Sequence, residues 1–265
     1  MFGGDIALAP VHDAGDDPLL LALAAPNAIN STWLAGPGQR FGGVSGDATG
    51  QGPFSVWHSG KGAIAGHCEV GLQGAAGAVG AAHGVRILCD ARAVTASHGH
   101  DLIFLGGKPA LDTLHQACNE VPLPMHRLMA GIAGSIDEIA HGHYRLTALV
   151  GANEAERSVT LARKPEPGQL VFWALRETGA AQQDLDSTVD RLLQQLAMRP
   201  QFGLLFSCLG RGPYFYSGVD RDLELLQKRF PGMPLIGFYG NGEIAPVNGV
   251  NELLQYSAVL GLFGV

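Results

Sequence analysis

The chain has 265 residues, 46% of them hydrophobic, which is enough to bury a sizeable core in one large domain or two smaller ones. Its 17 basic and 24 acidic residues are scattered and leave a net charge of −7, which argues against a nucleic-acid partner. The apolar run at 19–25 is far shorter than the roughly 20 residues of a membrane helix, and no basic segment precedes it as in a signal peptide. We therefore expect a cytoplasmic protein that binds no membrane and whose partner is a small molecule or another protein.

The cysteines and histidines show no pattern of a disulfide framework or a metal site. The cysteines are far apart and form no Cys-x-x-Cys pair. Two pairs of histidines lack a carboxylate or thiolate at ligand spacing, and the glycine between the members of each pair is typical of a turn. We expect reduced thiols, no metal and no cofactor. The residues concerned are Cys68, Cys89, Cys118 and Cys208, with His98, His100, His141 and His143.

The first eighty residues are rich in glycine and alanine, and their apolar runs at 6–11, 19–24, 63–68 and 70–72 predict short strands. The glycine-dense segment at 36–46 resembles a phosphate cradle. It matches neither Gly-x-Gly-x-x-Gly nor a P-loop that ends in Gly-Lys-Ser/Thr. We interpret it as a series of tight turns.

The middle of the chain predicts a hairpin and two helices. Apolar residues between 85 and 105 surround Ser-His-Gly-His at 97–100, which has the composition of a hairpin turn. The spacing of apolar residues predicts helices at 109–119 and 181–198, and Pro200 ends the second one. The leucines of the second helix recur on one face, as expected of core packing.

The last sixty residues predict a strand, a helix and a second strand. The apolar run at 203–208 is typical of a strand buried on both faces, and Pro234 to Tyr239 forms a similar run. Between them, Asp220 is a suitable N-cap for a helix at 220–230 that stops at Pro231. This order indicates a right-handed βαβ unit with parallel strands, and the fold class is therefore mixed α/β, with sheets flanked by helices.

Parallel strands end at the same edge of a sheet, so the turns that follow the two strands should adjoin and form the principal ligand site. The glycines would let backbone N–H groups approach a ligand, and Arg211 offers a planar fork for a carboxylate. Glu243 would take an ammonium group, or else the two charged side chains simply pair with each other. The residues assigned to this site are Cys208, Arg211, Gly212, Tyr239, Asn241, Gly242 and Glu243.

The same two turns resemble the C-terminal signature of the FIST family. Cys-Leu-Gly-Arg-Gly at 208–212 is similar to its Cys-x-x-Arg-Gly turn, and Gly-Phe-Tyr-Gly-Asn-Gly-Glu-Ile at 237–244 to its Gly-Phe-x-x-x-Gly-Glu-Ile segment. The segments at 42–46 and 62–66 are similar to the end of the N-terminal FIST domain, and 105–110 to the opening of the C-terminal one. The resemblance divides the chain into the C-terminal part of a FIST N-like domain at 1–82 and a FIST C-like domain at 83–265.

This resemblance implies a non-catalytic sensory module in signal transduction that binds a small ligand such as an amino acid. Two alternatives stay open. The first is an interaction module that docks a signalling protein or a ubiquitin-ligase subunit, since the turns also resemble the FIST portion of an F-box receptor. The second is a cysteine-dependent enzyme in which Arg211 activates Cys208 and a distant histidine, His126 or His143, acts as the base.

Overall fold

The computed structural model describes residues 7–10, 19–46, 52, 56–58, 61–63, 66–119 and 124–265. Helices and strands are mixed along the chain, which confirms the predicted fold class. The chain divides into two compact units, one of residues 1–83 with 182–265 and one of residues 84–181. We call them the split unit and the continuous unit. The division into FIST-like parts at residue 82 stays a prediction.

The described residues of the N-terminal segment form seven strands and one short α-helix. Asn30 accepts a hydrogen bond from the backbone N–H of Trp33 and thereby caps the helix. Where we predicted two strands at 63–68 and 70–72, the structure has one strand at 67–73, and residues 64–65 lie outside the described residues. The elements are Ala7–Pro10 (β1), Leu19–Ala24 (β2), Ser31–Leu34 (α1), Gln39–Val44 (β3), Val56–His58 (β4), Lys61–Ala63 (β5), His67–Gln73 (β6) and Ala76–Ala82 (β7).

The interpretation of residues 36–46 as tight turns is wrong for most of the segment, because β3 occupies residues 39–44. Its side chains Phe41 and Val44 are fully buried, and the strand pairs in parallel with β2. Gly42 is required there because a Cβ atom would lie 1.9 Å from the carbonyl oxygen of Ala22. The glycines therefore serve close strand packing rather than a series of turns.

The described residues of the continuous unit form eight strands and two short α-helices, and the predicted hairpin and first helix are present among them. Its elements are Val85–Ile87 (β8), Arg92–His98 (β9), Asp101–Leu105 (β10), Lys108–Pro109 (β11), Ala110–Ala117 (α2), Leu128–Ala133 (β12), Ile136–Ala140 (α3), Arg145–Asn153 (β13), Ser158–Leu161 (β14) and Leu170–Arg176 (β15).

Six strands of this unit pair in a closed antiparallel ring, in the order β9, β10, β14, β13, β12, β15 and back to β9. Apolar side chains of these strands and of α2 share one core. At its centre Trp173 is fully buried, and its indole N–H donates to the hydroxyl of Thr113 over 2.9 Å. The indole N–H of Trp173 is thus satisfied by α2, within the continuous unit.

The C-terminal segment returns to the split unit. It contains Thr178–Leu196 (α4), Phe202–Cys208 (β16), Arg221–Arg229 (α5), Leu235–Gly240 (β17), Glu243–Val247 (β18), Val250–Leu254 (β19) and Ala258–Gly264 (β20). Both predicted helices are confirmed within a few residues. Within the described ranges, no helix combines the length and apolar character needed to cross a membrane.

The split unit has three layers. A four-stranded sheet in the order β17, β16, β20, β7 lies in the middle. One face packs on α4 and α5 through side chains such as Leu185 and Leu226. The opposite face packs through Phe206 and Phe263 on a six-stranded sheet in the order β1, β6, β2, β3, β18, β19. This layering gives β16 the two buried faces that its sequence predicts.

Candidate functional site

The turns that follow β16 and β17 adjoin, because these strands are parallel neighbours. Ser207 is the register partner of Tyr239, and Cys208 is the partner of Gly240. The turn after β16 comes back against β17: a Cβ atom on Gly212 would lie 3.2 Å from the ring of Tyr239. The predicted βαβ geometry is therefore present, and it brings the assigned residues to one edge of the sheet.

The guanidinium of Arg211 is engaged inside the protein and is only 1% exposed. Its Nε and Nη2 atoms donate to the two carboxylate oxygens of Asp222 over 2.8 and 3.2 Å, and Nη1 donates to the carbonyl of Ala82 over 2.9 Å. The hydroxyl of Tyr216 donates to the same carboxylate over 2.7 Å. Burial favours the neutral arginine, but Asp222 outweighs burial and holds the pKa of Arg211 above its usual value.

This ion pair changes the role that the sequence suggested for Arg211. The sequence predicts that its planar fork binds a ligand carboxylate or pairs with Glu243, whereas in the structure it binds the carboxylate of Asp222. The pair joins the turn after β16 to the first turn of α5, so Arg211 fixes the position of the helix next to the site. Sequence reasoning missed Asp222 because an acidic residue in the first turn of a helix is ordinary.

Glu243 is fully buried at the start of β18. One carboxyl oxygen, Oε2, accepts hydrogen bonds from the hydroxyl of Ser257 over 2.6 Å and from its backbone N–H over 3.3 Å. The other oxygen, Oε1, has no hydrogen-bond partner among the described residues. Burial raises the pKa of Glu243 to about 8, against smaller lowering effects of Ser257 and Arg211. Glu243 is therefore an internal, largely protonated group near pH 7 rather than an exposed negative charge.

The turn at 240–242 is attached to the end of β3. The backbone N–H of Asn241 donates to the carbonyl of Val44 over 3.0 Å, and the N–H of Val44 donates to Gly242 over 2.9 Å. A Cβ atom on Gly240 would lie 2.2 Å from the carbonyl oxygen of Val44, and one on Gly46 would lie 2.4 Å from the side chain of Asn241. Gly240 therefore admits the backbone of β3, whereas the sequence predicts that the glycines of this turn admit a ligand.

A cleft of about 240 Å³ opens on the helix-facing side of β16 and β17. Asp220 stands at its rim, where it caps α5 by accepting the backbone N–H of Leu223 over 3.0 Å. Tyr239 donates its hydroxyl proton to the same carboxylate, and burial together with this bond raises the pKa of the phenol. The lining residues are Leu205, Ser207, Asp220, Leu223, Leu235, Ile236, Gly237, Phe238 and Tyr239.

Ser207 is the least expected member of the cleft. Its side chain is buried, and its hydroxyl has no hydrogen-bond partner among the residues that the structure describes. Side chains alternate along a strand, so Ser207 faces the cleft while its neighbour Cys208 faces the other way. This alternation could have distinguished the two residues from the sequence. Of the seven assigned residues, only Tyr239 is among the nine that line the cleft.

The cysteines and histidines add no further constellation. The four cysteines, all within the described residues, form no disulfide with one another. Cys208 belongs to the split unit, whereas His126 and His143, the bases considered for a cysteine mechanism, belong to the continuous unit. Across the described part of the chain, no group of three or more potential metal ligands comes together.

The fold and the site define an α/β protein with a small cleft on the helix-facing side of two parallel strands. The chain belongs to the FIST family, because the sequence profile of the FIST C domain matches residues 110–246, a range that includes both turns and the whole cleft. FIST C domains are sensory domains of signal transduction.

Several curated proteins are similar to this chain. Uncharacterized protein Rv0628c of Mycobacterium tuberculosis is 32% identical over 203 residues, which cover 73% of this chain and 52% of the relative. Uncharacterized protein Mb0898c of Mycobacterium bovis is 31% identical over 179 residues, or 64% and 46% of the two chains. Human F-box only protein 22 is 44% identical over 43 residues, or 16% and 11%. The chain thus spans about half the length of its mycobacterial relatives.

Proposed function

We propose that the chain is a non-catalytic sensory protein of the cytoplasm that binds a small molecule in the cleft between β16, β17 and α5. The observation that carries the proposal is the side chain of Ser207, which is buried on the cleft side of β16 and whose hydroxyl finds no partner among the described residues. A buried hydroxyl without a partner costs free energy, and a ligand that supplies the missing hydrogen bond would recover it.

The position and size of the cleft support the proposal. The cleft runs along β17 from Leu235 at its start to Tyr239 near its end, so one end of the cleft lies beside the carboxyl ends of the parallel strands, where ligands of open α/β sheets bind. Its volume of about 240 Å³ is slightly below the range of about 300–1,000 Å³ that is typical of drug-sized ligands, and so suits a small metabolite. Among the seven assigned residues, we propose direct ligand contact for Tyr239, with Arg211 and Glu243 acting from behind as groups that hold the site in shape.

The test is a screen of amines, amino acids, organic acids and sugars by two-dimensional amide NMR. A ligand of the cleft should shift the amides of Ser207, Gly237 and Tyr239. Changing Tyr239 to Phe should then weaken its binding by about tenfold, because a hydrogen bond to the site is lost. Tyr214→Phe is the matched control, since Tyr214 is 95% exposed. The proposal is contradicted if no compound of the panel shifts a cleft amide signal, or if a ligand that does so binds Tyr239→Phe as tightly as the parent.

A second candidate function is docking of a signalling protein, and the edge strand β17 favours it. This strand carries no charge, and its side chains Ile236 and Phe238 are 71% and 36% exposed. Uncharged edge strands are surfaces on which a partner can add a strand. The same screen distinguishes sensing from docking. If the protein only docks a partner, no metabolite of the panel should shift the amide signal of Ser207.

A further inference from the structure

The polar side chains of the cleft offer mainly hydrogen-bond acceptors. Asp220 uses one lone pair of each oxygen, for the N–H of Leu223 and the hydroxyl of Tyr239, and a second lone pair remains on each. Tyr239 has committed its proton to Asp220, so its oxygen can only accept from a ligand. Ser207 can accept as well as donate. A ligand that fits this set must therefore bring several donors.

The charge around the cleft favours a cation. None of the nine described residues that line it is basic. The nearby Arg211 lies behind the cleft, where the carboxylate of Asp222 already neutralises it. A ligand carboxylate would face Asp220 without a counter-charge, whereas an ammonium group would gain a charge-assisted hydrogen bond. The net charge of −7 adds a weak long-range attraction for cations.

The rest of the cleft is apolar and short. Leu205, Leu223 and Leu235 form its walls. At roughly 30 Å³ for each group of the size of a water molecule, 240 Å³ holds about eight such groups. An ammonium group with a branched aliphatic body of four to six carbon atoms would match both the polar rim and the apolar walls, at about the size of a leucine side chain.

We propose that this cleft selects small primary amines and discriminates against carboxylates. The ammonium group donates its three protons to Asp220, Tyr239 and Ser207, and the aliphatic body packs against the leucines. The inference rests on the proposed function and narrows its ligand class. It also replaces our expectation of an amino acid held between Arg211 and Glu243, because both of these side chains are buried and held by internal partners.

Three probes that share one branched aliphatic body test the ligand class by amide NMR titration at pH 7. Isoamylamine carries only the ammonium group, 4-methylpentanoate carries only the carboxylate, and leucine carries both. We expect isoamylamine to shift the amides of Ser207 and Gly237 with a dissociation constant about tenfold or more below that of the other two, as expected for one charge-assisted hydrogen bond. Equal or tighter binding of either carboxylate overturns the amine assignment and leaves the cleft as the ligand site.

Asp220→Asn tests the mechanism without removing the helix cap, because asparagine caps a helix as well as aspartate does. This change should weaken isoamylamine binding by about tenfold or more. Asp137→Asn is the control, since it removes one negative charge from an exposed helix turn of the continuous unit. The inference is wrong if Asp220→Asn binds the amine as tightly as the parent, or if no probe moves a cleft amide. The proposed function itself fails if the wider screen also shifts no cleft amide, or if a ligand that it finds binds Tyr239→Phe as tightly as the parent.

Discussion

Replacing Arg211 by leucine should destabilise the protein strongly, whatever ligand it binds. The change leaves the carboxylate of Asp222, 3% exposed, with Tyr216 as the one remaining partner among the hydrogen bonds described above. It also removes the donor to the carbonyl of Ala82. Removing one partner of a buried ion pair costs about 3–5 kcal/mol, because the other charge stays buried and uncompensated.

The measurement is urea unfolding of the parent and of Arg211→Leu, with thermal unfolding as a second readout. A loss of 3–5 kcal/mol corresponds to a fall in Tm of about 6–20 °C, at about 2–4 °C per kcal/mol for a chain near this size. Arg221→Leu is the matched control. Its pair with Glu224 is about half exposed and is worth about 0.2–1 kcal/mol.

The double variant Arg211→Leu with Asp222→Leu separates the ion pair from simple packing. It removes the uncompensated carboxylate and should recover most of the lost stability, since well-packed apolar residues often replace a buried pair at little cost. The reasoning is refuted if Arg211→Leu costs no more than Arg221→Leu, or if the double variant is less stable than Arg211→Leu alone.

Two further predictions concern the neighbouring turn. The pKa of Glu243 lies near 8 in the folded state against an ordinary value of 4.5, so the stability that Glu243 contributes should be complete below pH 4.5 and should be lost at up to about 1.4 kcal/mol per pH unit between pH 4.5 and 8. Glu243→Gln should reduce this dependence of the free energy of unfolding on pH, measured by urea unfolding at pH 5, 6.5 and 8. If the dependence is unchanged, another group causes it. Gly240→Ala should lower the free energy of unfolding by about 1–3 kcal/mol, because the new Cβ atom would meet Val44. Gly151→Ala is the control, and it should lower this free energy by less than about 0.5 kcal/mol because the space around Gly151 is open. Equal losses for the two variants in thermal unfolding would contradict the close approach at Gly240.

Local chain chemistry was sufficient to predict the βαβ unit. The apolar run at 203–208, the capping residue Asp220 and the stop at Pro231 are all read within thirty residues, and each acts on its own neighbours. Because parallel strands end on one edge, the meeting of the two turns followed from the order of the elements. The same reasoning placed the hairpin at 97–100 and the three helices.

Only the tertiary structure shows which residues distant in sequence form hydrogen bonds with each other. The donor to Ala82 comes from Arg211, 129 residues away, and the turn after β17 is attached to β3, about 200 residues away. No local pattern encodes which elements stack, so the sequence could not tell that Gly240 lies against the backbone of Val44 and Gly46 against the side chain of Asn241.

Burial also reversed the roles of the charged residues. From the sequence, Arg211 and Glu243 are the obvious charged pair of the site, because both follow glycine-rich strand ends. The three-layered packing buries both side chains. Arg211 forms an ion pair with Asp222, and Glu243 is largely protonated and hydrogen-bonded to Ser257. The sequence thus determined that the two turns meet at one edge of the sheet. Which side chains face the cleft was decided by the stacking of α5 on β16 and β17, because solvent access depends on the neighbouring layers and not on the residue itself.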